Sequence, residues 1–347
     1  MKAAIIHNYS EGFSSLSYEE VETPKPGVGE VLIRVKARAV NHCDTDLRKG
    51  IFGIEQPFPW VMGVDACGEI AELGDGVSNF SIGDRVAPHF LLTCNTCQNC
   101  LEGKENICER AEILGVTVWG GYGDYLKCKS TDLIRIPETL SDIDAAAGQL
   151  PFATAWESLI VAASLSAGES VLITAAGGGV GSAAIQVAKL AGARVIAAAG
   201  ESSKLERARA LGADEVINYT TDNIEDCCKD LTNGRGIDCA LEMIGGTILK
   251  QTIGAITPGG RVVVIGAHGG EQVEVDFVEF FRKHITVHGA GRSTKAHASK
   301  VLSLMANKQL IPVIHKTFHL SEAAEAHKLM ESRNFFGRMI LTDKDSI

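Results

Sequence analysis

The chain has 347 residues, 45% of them hydrophobic and 22% charged, an ordinary globular composition with enough length for two domains. Its formal net charge of -10 argues against a nucleic-acid partner, which would need a basic face for phosphates, so small molecules are the expected partners. Neither an apolar leader in "MKAAIIHNYSEGF" nor a run of about eighteen apolar residues occurs, so the cytoplasm is the expected location and no membrane partner is expected.

The first 150 residues read as short β-rich segments, "EVLIRVKARAV", "GEIAELG" and "GDRVAPHF", separated by the turn-forming "TPKPGVG" and "LGDGVSNFSIGD". This pattern predicts a compact antiparallel, barrel-like domain over 1-151. Inside it, "VKARAVNHCDTDLRKG" sets Cys43 between His42 and Asp44. That grouping raises the question of a metal ligand.

Ten cysteines are present, and four of them fall within "CNTCQNCLEGKENIC". In a reducing compartment such a cluster indicates metal or free thiols in place of disulfides. Cys94, Cys97, Cys100 and Cys108 are spaced C-x2-C-x2-C-x7-C. Four thiolates on a tight loop suit a closed, structural zinc site with no position for water or substrate. An iron–sulfur cluster is the lesser alternative, given the long last spacing and the single set.

From about 152 the pattern changes. "ESVLITAA" is an apolar strand, "VGSAAIQVAKLAGA" a small-residue helix, "RVIAAAG" a second strand and "SSKLERARALGA" a second helix. The alternation continues through "GIDCALEMIG" and "GGRVVVIGA", predicting an α/β, doubly wound parallel sheet over 152-291. Gly178, Gly179, Val180 and Gly181 lie between the first strand and its helix. Glycine there lets backbone amides approach a pyrophosphate at a helix N-terminus, so a dinucleotide is the predicted cofactor. Where an NAD site usually carries an acid at the end of the second strand, this chain has Ala199 and Gly200, then Glu201, Ser202, Ser203 and Lys204. Room for a 2′-phosphate, with hydroxyls and Lys204 to bind it, favours NADPH; Glu201 opposes this unless it turns to solvent. Gly266, at the end of "GGRVVVIGA", is counted in the same site. The tail "HLSEAAEAHKLMESRNFFGRMILT" reads as an amphipathic helix and a strand that do not extend the nucleotide fold, so 292-347 is predicted to return to the first domain.

The order of features, a β-rich domain, a cysteine lobe, "GDRV" and a late nucleotide fold, resembles the medium-chain dehydrogenase/reductase superfamily over essentially the whole chain. The resemblance implies a GroES-like catalytic domain and a Rossmann cofactor domain. It also implies a homodimer or homotetramer. Zinc alcohol dehydrogenases of that superfamily hold a catalytic zinc with a cysteine in a motif like G-V-C-H-T-D, a histidine in G-H-E, and a later cysteine or acid. Their aspartate lies six residues before a glycine, and the cysteine three before that. Counting back from Gly50 puts the aspartate at Asp44 and the cysteine position at Asn41, with Cys43 out of frame. "GVDACGEI" has Val64 and Asp65 in place of the histidine and glutamate, and "GQLPFATAW" has Leu150 at the third ligand position. Valine and leucine cannot coordinate metal.

"VNHCDTDLRKG", "GVDACG", "LPFATAW" and "AAGGGVG" resemble instead the zinc-free quinone oxidoreductase and enoyl reductase branch, as does "VINY", whose Tyr219 borders the adenosine phosphate in that branch. The cysteine lobe is a departure, since many zinc-free members lack it. The expected activity is NADPH-dependent reduction of a quinone or an α,β-unsaturated carbonyl without a catalytic metal, because conjugate hydride addition needs only hydrogen-bond donors at the oxygen. Asn41 is the candidate donor. His42 is a proton relay or an ordinary surface histidine, Cys43 stands at the family's Ser/Thr relay position or is a packed thiol, and Asp44 orients its neighbours. Thr154 lies near the nicotinamide by resemblance, or caps a helix. Trp60 and Trp119 wall a planar substrate or pack in the core. The rival readings are a zinc-dependent alcohol dehydrogenase with a non-standard site drawn from His42, Cys43, Asp44, Asp65 or Cys67, and an NADPH-binding protein without activity.

Overall fold

A computed structural model describes residues Met1–Asp343. The chain divides into two compact units, Met1–Leu150 with the chain from Thr294 onward, and Pro151–Ser293.

The first unit is built around the ten-residue strand Glu30–Ala39, whose inward positions are fully buried. It pairs with Ala66–Leu73 and Tyr125–Lys129, and also antiparallel with Arg338–Thr342 near the end of the chain. The main path of this seven-stranded sheet runs Leu133–Arg135, Arg85–Pro88, Ala66–Leu73, Glu30–Ala39, Arg338–Thr342, Ile314–His319, with Tyr125–Lys129 branching from Glu30–Ala39. "RMILT" ends in the middle of this sheet because all five of its residues are buried, as a strand covered on both faces requires. Its register sets Ile340 opposite Ala39 and Thr342 opposite Ala37. Continued two residues past Ile340, that register brings Arg338 level with Asn41.

The second unit carries one parallel sheet. In sequence order its strands are Ser170–Ile173, Arg194–Ala199, Glu215–Asn218, Ile237–Glu242, Ile256–Val264 and Thr286–Gly289, and in space they run third, second, first, fourth, fifth, sixth. This is the doubly wound order with its topological switch between the first and fourth strands. The apolar runs "SVLI" and "IDCALE" are buried along their whole length, as central parallel strands must be. Helix Gly179–Leu190 turns Ala183, Ala184 and Ala188 toward the sheet; small side chains let it lie close.

Candidate functional site

Helix His42–Lys49 starts and stops where its sequence dictates. Asn41 is its N-cap in extended backbone, and Gly50 ends it with φ 76° and ψ 19°, a left-handed conformation that costs glycine nothing. Gly50 N–H bonds back to Asp46 and Leu47. The glycine that fixed the reading frame is therefore the residue that terminates this helix.

Asp44, in the first turn, is fully buried and collects three donors: Asn41 N at 2.8 Å, Val64 N at 3.0 Å and the Tyr122 hydroxyl at 3.2 Å. It thus fastens together the backbones of positions 41 and 64. Tyr122 has one proton and gives it to Asp44, so its 3.3 Å contact with His327 Nε2 requires His327 to donate. His327 stays neutral, since burial first and Arg48 second push it down to about 3.

Asn41 is 7% exposed, and its carboxamide is engaged at both ends. Arg338 Nη1 donates to Oδ1 at 2.7 Å, while Nδ2 donates to Ala39 O at 3.1 Å. Arg338 Nη2 reaches Asp65 Oδ2 at 2.8 Å, and both of these side chains are buried. Burial pushes Asp65 up to about 7, against the pull of Arg338 and a hydrogen bond from Asn41; burial likewise lifts Asp44 to about 6 despite its donors. Asn41, Asp65 and Arg338 thus form one connected polar set, in which the buried Arg338 Nε is left without a hydrogen-bond partner. Val64 is 2% exposed in the surrounding apolar cluster, and Leu150 packs against the same cluster. Through Asp44 the structure brings the backbones of Asn41 and Val64 together, while Leu150 is placed only against the same apolar cluster as Val64. Burying such a valine contributes about 1.5–3 kcal/mol.

His42 is exposed at the first helical position, and Cys43 is partly buried against the apolar cluster with its thiol pushed up by burial. Cys67 Sγ is turned to Asp142 O at 3.0 Å. Trp60 donates Nε1–H to Gly115 O at 2.9 Å and is core; with Trp119 it lines a cavity of about 530 Å³ beside Leu92, Leu126 and Asp132.

Cys94, Cys97, Cys100 and Cys108 bring their sulfurs within 4.8 Å of one another, the single such cluster of three or more His, Cys, Asp or Glu groups among the described residues. The pairs Cys94–Cys108 and Cys97–Cys100 are 3.5 Å apart, and Cys94–Cys100 and Cys97–Cys108 are 3.9 Å apart. A tetrahedral zinc with Zn–S bonds of about 2.3 Å needs sulfurs roughly 3.8 Å apart, so the four fit it. Backbone N–H groups of Thr96 and Cys97 pull the Cys94 thiol down to about 5, which favours thiolate.

In the second unit, Ala175 takes a positive φ of 47° and Gly178 N–H closes the turn on Ala175 O at 2.9 Å. Helix Gly179–Leu190 follows, with Gly178 as N-cap. Gly181 has no room for a side chain: a Cβ would stand 2.3 Å from Ala175 O. Gly266 lies against the residue that follows the fourth strand, where a Cβ would stand 2.8 Å from Met243 O. Ser202 and the exposed Glu201 start helix Ser202–Ala210. Lys204 lays its stem over the glycine loop, where a Cβ on Gly177 would be 2.8 Å from Lys204 Cδ, and its Nζ pairs with Glu201 at 3.0 Å. Tyr219 packs beside Gly200 at the end of the second strand. Thr154 is no N-cap: it lies inside helix Asp142–Trp156, 6% exposed, with its hydroxyl 3.4 Å from Gly291 O.

Four buried polar residues, Arg338, Tyr122, His327 and Glu242, carry no signal in the sequence. Arg338 stands 297 residues from Asn41, and Tyr122 stands 205 from His327. Glu242, fully buried at the end of the fourth strand, ends an ordinary apolar run.

Residues 27–138 match a family model described as an alcohol dehydrogenase GroES-like domain, and residues 179–307 one described as a zinc-binding dehydrogenase. The chain is 30% identical to acryloyl-coenzyme A reductase of Metallosphaera sedula over 99% of this chain and 100% of that one. It is 31% identical to human quinone oxidoreductase, covering 93% of this chain and 92% of the relative. A crystal structure described as an NAD-dependent alcohol dehydrogenase superposes with a TM-score of 0.94 at 37% identity, covering 99% of each chain.

Proposed function

The chain belongs to the medium-chain dehydrogenase/reductase superfamily, with its GroES-like and Rossmann-type pair of domains, and on that premise we propose that it reduces a quinone or an α,β-unsaturated carbonyl compound with NADPH, without a metal at the substrate. The observation that carries this reading is the content of the three ligand positions: Asn41, held by Arg338 and Ala39, with Val64 and Leu150. Neither aliphatic side chain offers an electron pair, so the strong electrophile an unactivated ketone needs is not provided there. Two of the relatives are named for acceptors of the conjugated kind, a quinone and an acryloyl thioester.

When bound, NADPH supplies the hydride. Backbone amides of Gly178, Gly179, Val180 and Gly181 would take the pyrophosphate, Lys204 and Ser202 the 2′-phosphate, and Tyr219 the adenosine side; Thr154 and Gly266 would line the nicotinamide side. Glu201 is turned to Lys204 and holds its ammonium at the mouth of the glycine loop. Hydride addition leaves negative charge on the substrate oxygen. Asn41 Nδ2 would take up that oxygen by releasing Ala39 or Asp65, with the Arg338 charge behind it. The exposed His42 would pass the proton, and Asp44 keeps the turn rigid.

The cysteine lobe would hold one structural zinc. All ten thiols are unpaired, which suits the cytoplasm. The edge strand Thr286–Gly289 and the exposed Phe277 and Phe281 favour self-association, as a homodimer or homotetramer, since an uncovered edge beside large apolar side chains is otherwise a liability. NADPH consumption with a panel of quinones and enones, set against NADP+ reduction with alcohols, tests the reading. Turnover of conjugated acceptors is expected; oxidation of alcohols alone would overturn it.

A further inference from the structure

In an open parallel sheet, ligands bind outside the carboxyl ends of the strands at the topological switch point. Here that point lies between Ser170–Ile173 and Ile237–Glu242. Thr174 and Glu242 stand at the ends of these two strands, and both are fully buried. A carboxylate in such a place is costly unless donors surround it, and they do. Glu242 Oε1 accepts from Ile244 N at 2.9 Å and from the Thr174 hydroxyl at 3.3 Å, and Oε2 accepts from Gly245 N at 2.9 Å. Met243 N donates to the same Thr174 hydroxyl at 2.9 Å. One carboxylate and one hydroxyl thus hold the backbone N–H groups of three consecutive residues, Met243 to Gly245, at the end of the first strand.

The fixed loop in turn grips the loop after the fifth strand. Gly269 N donates to Ile244 O at 2.6 Å and Gly246 N to Gly270 O at 2.9 Å. The approach is open to glycine alone: a Cβ on Gly245 would lie 2.3 Å from Gly270 O, and Gly245 has a φ of 82°. So a chain of contacts runs from Thr174, at the head of the glycine-rich turn, through Glu242 to both loops on the carboxyl edge of the sheet. Each link lies inside the second unit.

We infer that Glu242, with Thr174, is a positioning residue for the dinucleotide: it holds the loop after the fourth strand, at the switch point, and through it the loop after the fifth strand in one shape before the cofactor arrives, without touching the cofactor itself. A preorganised loop spares the ligand the cost of ordering it. The inference rests on the dinucleotide site but not on the choice of NADPH over NADH, nor on the acceptor.

The test is fluorescence titration of the full chain with NADPH and, separately, NADH, for Glu242→Gln, Thr174→Val and Thr174→Ser, alongside hydrogen exchange of the 243–246 and 266–270 segments. Glu242→Gln turns an amide N–H toward backbone donors, and Thr174→Val removes only the hydroxyl. The expected result is about tenfold weaker binding of both dinucleotides by the same factor, roughly the loss of one well-made buried hydrogen bond. Faster exchange in both loops should accompany it, and Thr174→Ser should recover wild-type values. Unchanged affinity in Thr174→Val would overturn the inference even if the loops loosened, and it decides the matter should Glu242→Gln not fold. Weakening confined to NADPH would overturn it too, because that effect belongs at Lys204. An enzyme that prefers NADH, or acts on alcohols, would sink the proposed function while leaving this one standing.

Discussion

Arg338 and Asp65 meet as a buried ion pair, Nη2 to Oδ2 at 2.8 Å, across 273 residues of sequence. Two charges taken out of water return little net stability as a pair, but removing one partner strands the other. Arg338→Met should therefore cost about 3–5 kcal/mol in urea unfolding, and the double variant Arg338→Met, Asp65→Asn much less. Equal losses in the single and double variants would mean that the guanidinium acts through packing and not through the pair.

The same group of charges sets a pH dependence whose sign can be worked out. Asp65 and Asp44 face Arg338, Tyr122 and His327, and burial pushes the two acids up to about 7 and about 6. An unfolded aspartate titrates at about 3.9, so between there and 7 the folded chain holds protons the unfolded chain has lost. Stability from this source is complete below about pH 4 and disappears as pH rises through 7. The opposite case, Asp238, is drawn down to about 2 by Arg235 and Ser170 despite its burial, and it matters only in strong acid. Melting temperature should thus fall between pH 5 and pH 8, with a shallower fall in the double variant. A flat profile in the wild type would contradict the burial argument.

Much of this was legible in the sequence where local chemistry decides. The alternation from Ser170 onward gave the parallel sheet, because its central strands are buried on both faces and so read as unbroken apolar runs. The frame of Asn41 came from Gly50, which a helix end needs in a left-handed conformation. The four cysteines betrayed their lobe by spacing. What stayed hidden depends on distance or on context. Arg338 reaches Asn41 only through the register of a strand that returns from the far end of the chain. Thr154 reads as a candidate cap from its residue type alone, yet the helix runs from Asp142 through Pro151 to Trp156 and encloses it. The two strands Glu215–Asn218 and Thr286–Gly289 are short and half exposed, and carry little pattern.

Cofactor choice turns on Lys204, whose side chain is only 16% exposed and already neighbours Glu201 at 3.0 Å. Lys204→Ala should raise the NADPH dissociation constant about tenfold or more and leave NADH within about twofold, since only the former carries the 2′-phosphate. Glu201→Gln should act in the other direction, tightening NADPH by a few-fold, because a negative charge that would repel the 2′-phosphate is removed. Paired titrations of both variants check this; equal effects on both dinucleotides would remove Lys204 from the 2′-phosphate site.

Elemental analysis of protein purified without added metal should find one zinc per chain, lost in Cys97→Ser. Two per chain would mean that a second site exists among His42, Cys43, Asp44, Asp65 and Cys67, and alcohol oxidation would become the leading activity. The loss of the lobe's metal should also be felt beyond the lobe. Lys295 N donates to Glu105 Oε1 at 2.7 Å, and its Nζ reaches Asn95 at 3.3 Å and Thr131 O at 2.9 Å, so two stretches of the lobe are tied to the start of helix Lys295–Ala306. Chelation should raise hydrogen exchange in the first turn of that helix along with the lobe, whereas in Lys295→Met the helix should exchange faster from the outset and respond less to the chelator. A helix indifferent to chelation in the wild type would show that the lobe is held by its own packing and that its metal serves the lobe alone.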